Sequence, residues 1–181
     1  MAEEGPQHVR ATYNDIHDLI KASAAKIGPD FKPNMIIAIG GGGFFPARVM
    51  RTFLKDESTK RNIPIHAIGL SLYESLPGTT AEQIGNEVIR TQWLGPDSGK
   101  TMLGRRVLII DEVDDSRKTL GYAISELQKD VESELVNFPE SERDVLRTRF
   151  AVFVVHNKLK PKLAVLPSTI PYVPNIPFTV L

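Results

Sequence analysis

The sequence predicts an α/β domain with a mostly parallel sheet flanked by helices. Short apolar runs at residues 35–39, 63–72, 107–110 and 150–155 stop abruptly at glycine or polar residues, as strands buried on both faces do. Between them lie segments whose apolar residues recur every three or four positions, the period of a helix with one buried face. Strands alternating with helices imply parallel pairing, because a parallel connection needs a crossover.

Residues 9–27 set Tyr13, Ile16, Leu19, Ile20, Ala24 and Ile27 at helical spacing, and residues 30–34 read as a loop. The run 35–39 is a buried strand that ends at Gly40, Gly41, Gly42 and Gly43. Pro46 suits a helix start, with Val49, Met50, Phe53 and Leu54 facing inward. Residues 63–72 form a second strand, 74–83 read as a mobile loop, and 88–93 as a returning strand. Residues 107–110 are a third buried strand. Residues 118–131 form a helix that buries Leu120, Ala123, Ile124, Leu127 and Val131. Residues 132–147 are charged and read as a surface extension, and 150–155 form a fourth buried strand.

The composition narrows the function. The 181 residues fit one domain. The 22 basic residues balance 22 acidic ones, which argues against nucleic acid or a membrane surface as a partner. There is no cysteine, so disulfide and thiolate chemistry are excluded. The amino-terminal residues carry no secretory pattern, and no run approaches the ~20 apolar residues of a membrane helix. A cytoplasmic protein is the expectation.

In open α/β sheets ligands bind beyond the carboxyl ends of strands, and the residues able to do chemistry fall there. The richest group follows the strand at 107–110, where Asp111, Glu112, Asp114 and Asp115 precede Ser116, Arg117, Lys118 and Thr119 at a helix start. A helix N-terminus offers unpaired N–H groups to phosphate. Carboxylates just upstream would repel phosphate, so they must face something else, such as ribose hydroxyls or Mg²⁺. A solvated acidic turn capping the helix through Asp115 or Ser116 is the plainer alternative.

The glycines at 40–43 allow backbone amides to approach an anion, or simply form a tight turn. Phe45 stands where a dinucleotide-binding glycine pattern needs its third glycine. Residues 95–101 resemble a P-loop but are one residue short between the glycines and read as a surface turn. Lys158, after the fourth strand, can donate to a carbonyl, or can join Lys160 and Lys162 in a basic surface turn. His156 reads as structural.

Residues 107–120 resemble the phosphoribosyl pyrophosphate (PRPP) signature of type I phosphoribosyltransferases. Segments 33–48, 63–74, 88–93 and 153–162 resemble fungal hypoxanthine and xanthine phosphoribosyltransferases. The likeness spans roughly residues 10–167. It implies a type I phosphoribosyltransferase fold with a small hood, and a purine-salvage reaction that uses PRPP and Mg²⁺. Asp111 and Glu112 would hold the ribose hydroxyls, with Mg²⁺ bound through PRPP and these two carboxylates. Asp115 would be catalytic, near the purine N7. Asp115, Ser116, Arg117, Lys118 and Thr119 would cradle the 5′-phosphate, and Gly40 to Gly43 the pyrophosphate, in some relatives through a cis peptide. Ser71, Leu72 and Tyr73 would belong to a flexible loop over the site, and Lys158 would bind the purine O6. Many relatives have glycine at the position of Arg117, although the fungal group tends to carry arginine. The resemblance also implies a homodimer.

The expected division is a phosphoribosyltransferase domain at 1–162 and a divergent tail at 163–181, which is free of charge and contains Pro167, Pro171, Pro174 and Pro177. In the family this region supplies an aromatic that stacks on the base and a nearby acid. Here neither Tyr172 nor Phe178 sits in such a context, so the hood reads as altered. A PRPP-binding protein without catalysis is therefore the second reading.

Overall fold

A computed structural model describes residues 10–75 and 82–174. Eleven elements follow in order: α1 (Tyr13–Phe31), β1 (Met35–Gly40), α2 (Phe44–Phe53), β2 (Ile65–Ser75), β3 (Glu82–Gln92), α3 (Ser98–Met102), β4 (Arg106–Asp114), α4 (Lys118–Leu135), α5 (Glu140–Leu146), β5 (Arg149–Asn157) and β6 (Tyr172–Pro174). The strands form one sheet in the order β3-β2-β1-β4-β5-β6. Every pairing is parallel except that of β2 with β3. This is the fold class expected from the alternating pattern.

The inner strands are buried on both faces, and their side chains divide with period two. From β1, β4 and β5, the residues Ile36, Ala38, Leu108, Ile110, Ala151, Phe153 and Val155 join a core with α1 and α2. The alternate residues Met35, Ile37, Ile39, Val107, Ile109, Phe150, Val152 and Val154 join a second core with α4. Each fully buried Ile or Phe contributes roughly 1.5–3 kcal/mol relative to exposure, so a one-residue register slip would be heavily penalised.

Several boundaries move from those expected. Helix α1 begins at a capping box, in which Thr12 Oγ1 accepts from Asp15 N (3.2 Å) and the Asp15 carboxylate accepts from Thr12 N (2.8 Å). It then runs to Phe31 rather than ending near residue 27, because Ile27 and Phe31 continue the buried stripe and Pro29 lies within the last turn. Strand β4 carries past Ile110 to Asp114, because pairing with β5 continues to Asp114 opposite Asn157. Helix α4 reaches Leu135, since Val131 and Leu135 extend its apolar face. Of the charged region after it, α5 buries no residue, as a surface extension should.

Strand pairing takes in both ends of the segment 74–83 expected to be a loop. Glu74 pairs with Gln83 and Ser75 with Glu82, so β2 and β3 form a long antiparallel hairpin, and residues 76–81 lie outside the described ones. Within the segment 163–181, β6 pairs in parallel with β5 through Val152 opposite Tyr172.

The topology selects a place for a ligand. From β1 the chain moves outward to β2 and β3. From β4 it moves the opposite way to β5 and β6. The carboxyl ends of β1 and β4 therefore flank the switch point, where open sheets leave a crevice.

Candidate active site

A cavity of about 290 Å³ opens at that point. Its walls are Gly40, Gly41 and Gly42 after β1, Leu72 of β2, the β4 end from Asp111 to Asp114, and the turn Asp115, Ser116, Arg117 and Thr119. Two segments about 70 residues apart in sequence, each singled out for its chemistry, thus face one another.

The four glycines do different jobs. The peptide between Gly40 and Gly41 is cis. At Gly42 a Cβ would overlap the Glu112 carboxylate, so this glycine lets the acid lie across the loop. Gly43 does not line the cavity. Its N–H donates to Ile39 O (2.8 Å), and a Cβ there would sit 2.5 Å from the carbonyl oxygens of both Ile39 and Ile110. It is a packing residue between β1, β4 and α2.

Asp111 is nearly buried, and its Oδ1 accepts from Glu112 N at 2.9 Å. Burial, with Glu112 beside it, pushes its carboxyl up to about 8. An acid pair of this kind suits hydroxyl donors or a divalent cation. Among the described residues no cluster of three or more His, Asp or Glu side chains could hold a metal by itself, so a cation here would need oxygens from its ligand.

The turn after β4 begins α4. Arg117 is its N-cap, in the left-handed region at φ 69 and ψ 0. Its guanidinium is directed at Asp114, with Nε and Nη2 at 2.8 and 2.7 Å from Oδ2. The charge expected to serve a phosphate is thereby committed to a buried carboxylate. What the turn offers an anion is its backbone N–H groups and the hydroxyls of Ser116 and Thr119.

Asp115 stands at the opposite edge. It pairs with Lys160, and with Lys158 at 3.3 Å. Lys160 first, then Lys158, holds its carboxyl below the usual range. Lys162 is nearly buried and donates to three carbonyls: Asp114 (2.7 Å), Asp115 (2.8 Å) and Lys158 (2.8 Å). Burial lowers its pKa, with the charges of Asp114 and Asp115 opposing the shift. Backbone bonds from Lys158 N to Asp114 O and from Leu163 N to Ser116 O join the same two segments. The three lysines are therefore not a free basic turn. They fasten the segment after β5 to the end of β4.

Ser71, Leu72 and Tyr73 lie in β2, paired with Ile89, Val88 and Glu87, rather than in a loop, because the β2–β3 ladder extends through them. Leu72 reaches the cavity wall. The Tyr73 side chain and Phe178 lie outside the described residues. The P-loop-like segment forms the short helix α3, whose Ser98 hydroxyl donates to Asp130 at 2.5 Å and whose Gly99 packs against α4 backbone, so it is structural.

Sequence reasoning assigned no role to two residues that the structure brings together. Asp114 is 1% exposed and anchors Arg117. Tyr172, from β6, donates its hydroxyl to Asp114 Oδ2 at 2.7 Å. The only sequence signal was a carboxylate within a strand flanked by other acids, and nothing local pointed to a tyrosine 58 residues on.

A sheet of this order, with a glycine turn after its first strand and an acid pair leading into a helix-capping turn after its fourth, is the arrangement of the type I phosphoribosyltransferase fold. The purine phosphoribosyltransferase of Pyrococcus horikoshii shares the fold, with a TM-score of 0.60 at 23% identity, covering 92% of this chain and 86% of that one. No protein-family model matches the chain. Hypoxanthine-guanine phosphoribosyltransferase of Schizosaccharomyces pombe is 51% identical over 168 residues, covering 91% of this chain and 80% of the relative. Xanthine phosphoribosyltransferase 1 of Saccharomyces cerevisiae is 48% identical over 178 residues, covering 93% and 81%. The chain belongs to the family of fungal hypoxanthine-guanine and xanthine phosphoribosyltransferases.

Proposed function

We propose that the chain transfers the 5-phosphoribosyl group of PRPP to N9 of a 6-oxopurine, whether xanthine, hypoxanthine or guanine, and releases pyrophosphate. The observation that carries this is the cavity at the switch point, walled by the glycine turn on one side and by Asp111 to Arg117 with Thr119 on the other.

In this reading Gly40, Gly41 and Gly42 receive the pyrophosphate, and Asp111 and Glu112 the ribose hydroxyls. The turn from Asp115 to Thr119 receives the 5′-phosphate through backbone N–H groups and hydroxyls. Asp111 and Glu112 would hold Mg²⁺ together with oxygens of PRPP. When bound, the ion neutralises charge on the departing pyrophosphate. The purine's O6 and N7 are neighbours on one edge, which suits a lysine and an aspartate 3.3 Å apart. Lys158 donates to O6, and Asp115, kept ionised by Lys160, accepts the proton near N7. Leaving-group stabilisation and this proton transfer share the catalytic work.

The test is incubation with PRPP, Mg²⁺ and each base in turn. Nucleotide formation supports the reading, whereas PRPP binding with no product from any base would overturn it. Asp115→Asn should lower turnover more than PRPP affinity. Equal losses would remove Asp115 from proton transfer.

A further inference from the structure

Asp114 has no part in the reaction above, yet its side chain has 0% exposure. Its Oδ2 collects Arg117 Nε (2.8 Å), Arg117 Nη2 (2.7 Å) and the Tyr172 hydroxyl (2.7 Å), with Lys162 Nζ at 3.7 Å. Oδ1 is buried without a hydrogen-bond partner, so contacts at Oδ2 alone orient the carboxylate. The Arg117 guanidinium also lies over the Tyr172 ring, 4.8 Å from its centroid.

Arg117 needs holding. A residue with a Cβ is disfavoured at φ 69, and its conformation decides where the next backbone N–H groups point. A left-handed residue within a turn aims consecutive N–H groups into one concavity, the arrangement that binds an anion. The grip on Arg117 comes through its side chain, from Asp114 and the Tyr172 ring, and both depend on β6.

We propose that Tyr172 is a positioning residue for the 5′-phosphate turn. Its hydroxyl orients Asp114, Asp114 and the tyrosine ring fix Arg117, and the left-handed Arg117 keeps the turn's N–H groups on the ligand. A strand in the region that matched no family motif thereby completes the phosphate half of the site. The inference rests on the reading of residues 115–119 as the 5′-phosphate site.

Tyr172→Phe removes the hydroxyl and keeps the ring beneath the guanidinium. Calorimetry with ribose 5-phosphate and, separately, with pyrophosphate and Mg²⁺ distinguishes the two phosphate subsites. Loss of one hydrogen bond in a charged network should weaken ribose 5-phosphate roughly three- to ten-fold. The KM for PRPP should rise with it, while pyrophosphate affinity and the purine KM hold. Asp114→Asn, which preserves shape, should show the same selective loss if the tyrosine variant folds poorly. Ribose 5-phosphate binding at wild-type strength in both variants, or equal weakening of both ligands, would overturn the proposal. Failure of the wild-type protein to bind ribose 5-phosphate would instead remove the phosphate reading itself, and this inference with it.

Discussion

Gly42 and Gly43 are adjacent in sequence, yet the same substitution should fail in opposite ways at the two. A methyl at Gly43 would lie 2.5 Å from the carbonyl oxygens of Ile39 and Ile110, about 0.9 Å inside ordinary contact at 3.4 Å. Both obstacles are main chain in central strands, so relief requires moving β1, β4 or the start of α2. Overpacking costs about 1–3 kcal/mol, and a clash against two backbone atoms belongs near the top, at about 3 kcal/mol. For a chain of this size each kcal/mol shifts Tm by about 2–4 °C, so Gly43→Ala should melt roughly 6–12 °C lower. At Gly42 the methyl meets only the Glu112 carboxylate, the exposed end of a flexible side chain that can swing aside. Gly42→Ala should therefore keep its Tm within about 2 °C, yet bind Mg²⁺–PRPP at least about tenfold more weakly, a loss near 1.4 kcal/mol. Scanning calorimetry and a PRPP titration on both variants check this. Equal Tm values, or a destabilised Gly42→Ala with normal PRPP affinity, would refute the reasoning.

Three further outcomes follow from the same geometry. Arg117→Gly relieves a left-handed backbone worth about 1–2 kcal/mol but strips two charged bonds from a buried carboxylate, a change that costs about 3–5 kcal/mol. Thermal melts should show a net loss of about 2 kcal/mol, and Asp114→Leu added to it should restore stability, because an apolar replacement leaves no buried charge. In the ligand-free protein Asp111 has its pKa raised to about 8, so its contribution to folding is full below about pH 4 and is lost as pH rises towards 8. Asp111→Asn should therefore gain in Tm over wild type as the buffer moves from pH 5 to pH 8.5, and a constant difference would count against the shift. Finally, Ile109→Ala, at a fully buried position in β4, should cost about 2–5 kcal/mol without altering the ratio of xanthine to hypoxanthine turnover, as measured by denaturant unfolding and steady-state kinetics.

The strands were legible because burial on both faces leaves continuous apolar runs, as in Met35 to Ile39 and Phe150 to Val155. Helix α4 was legible from Leu120, Ala123, Ile124 and Leu127. The acidic end of β4 was not recognisable as strand, since its extension to Asp114 depends on pairing with β5 and not on its own residue types. The glycine run was legible as a turn, but not the division of labour within it, which is set by what packs behind each Cα. Arg117 read as a phosphate ligand because a cation at a helix start invites that reading, whereas the structure pairs its guanidinium with Asp114 at the sheet end. The role of Tyr172 was invisible for a related reason. Its hydroxyl meets Asp114 only after β6 has aligned with β5, and the flanking prolines gave no strand period to predict that.

Strand β6 also bears on the order in which the protein matures. Synthesis runs from the amino end, and the elements that form the cavity walls, β1 through α4, emerge first. The contact between Tyr172 and Asp114 spans 58 positions, so it closes only after β6 has followed the cavity walls out. A nascent chain could thus present its glycine turn and acid pair while the turn proposed to hold the 5′-phosphate still lacked a latch. Competence to grip the sugar phosphate would then arrive late, with one short strand docking at the sheet edge.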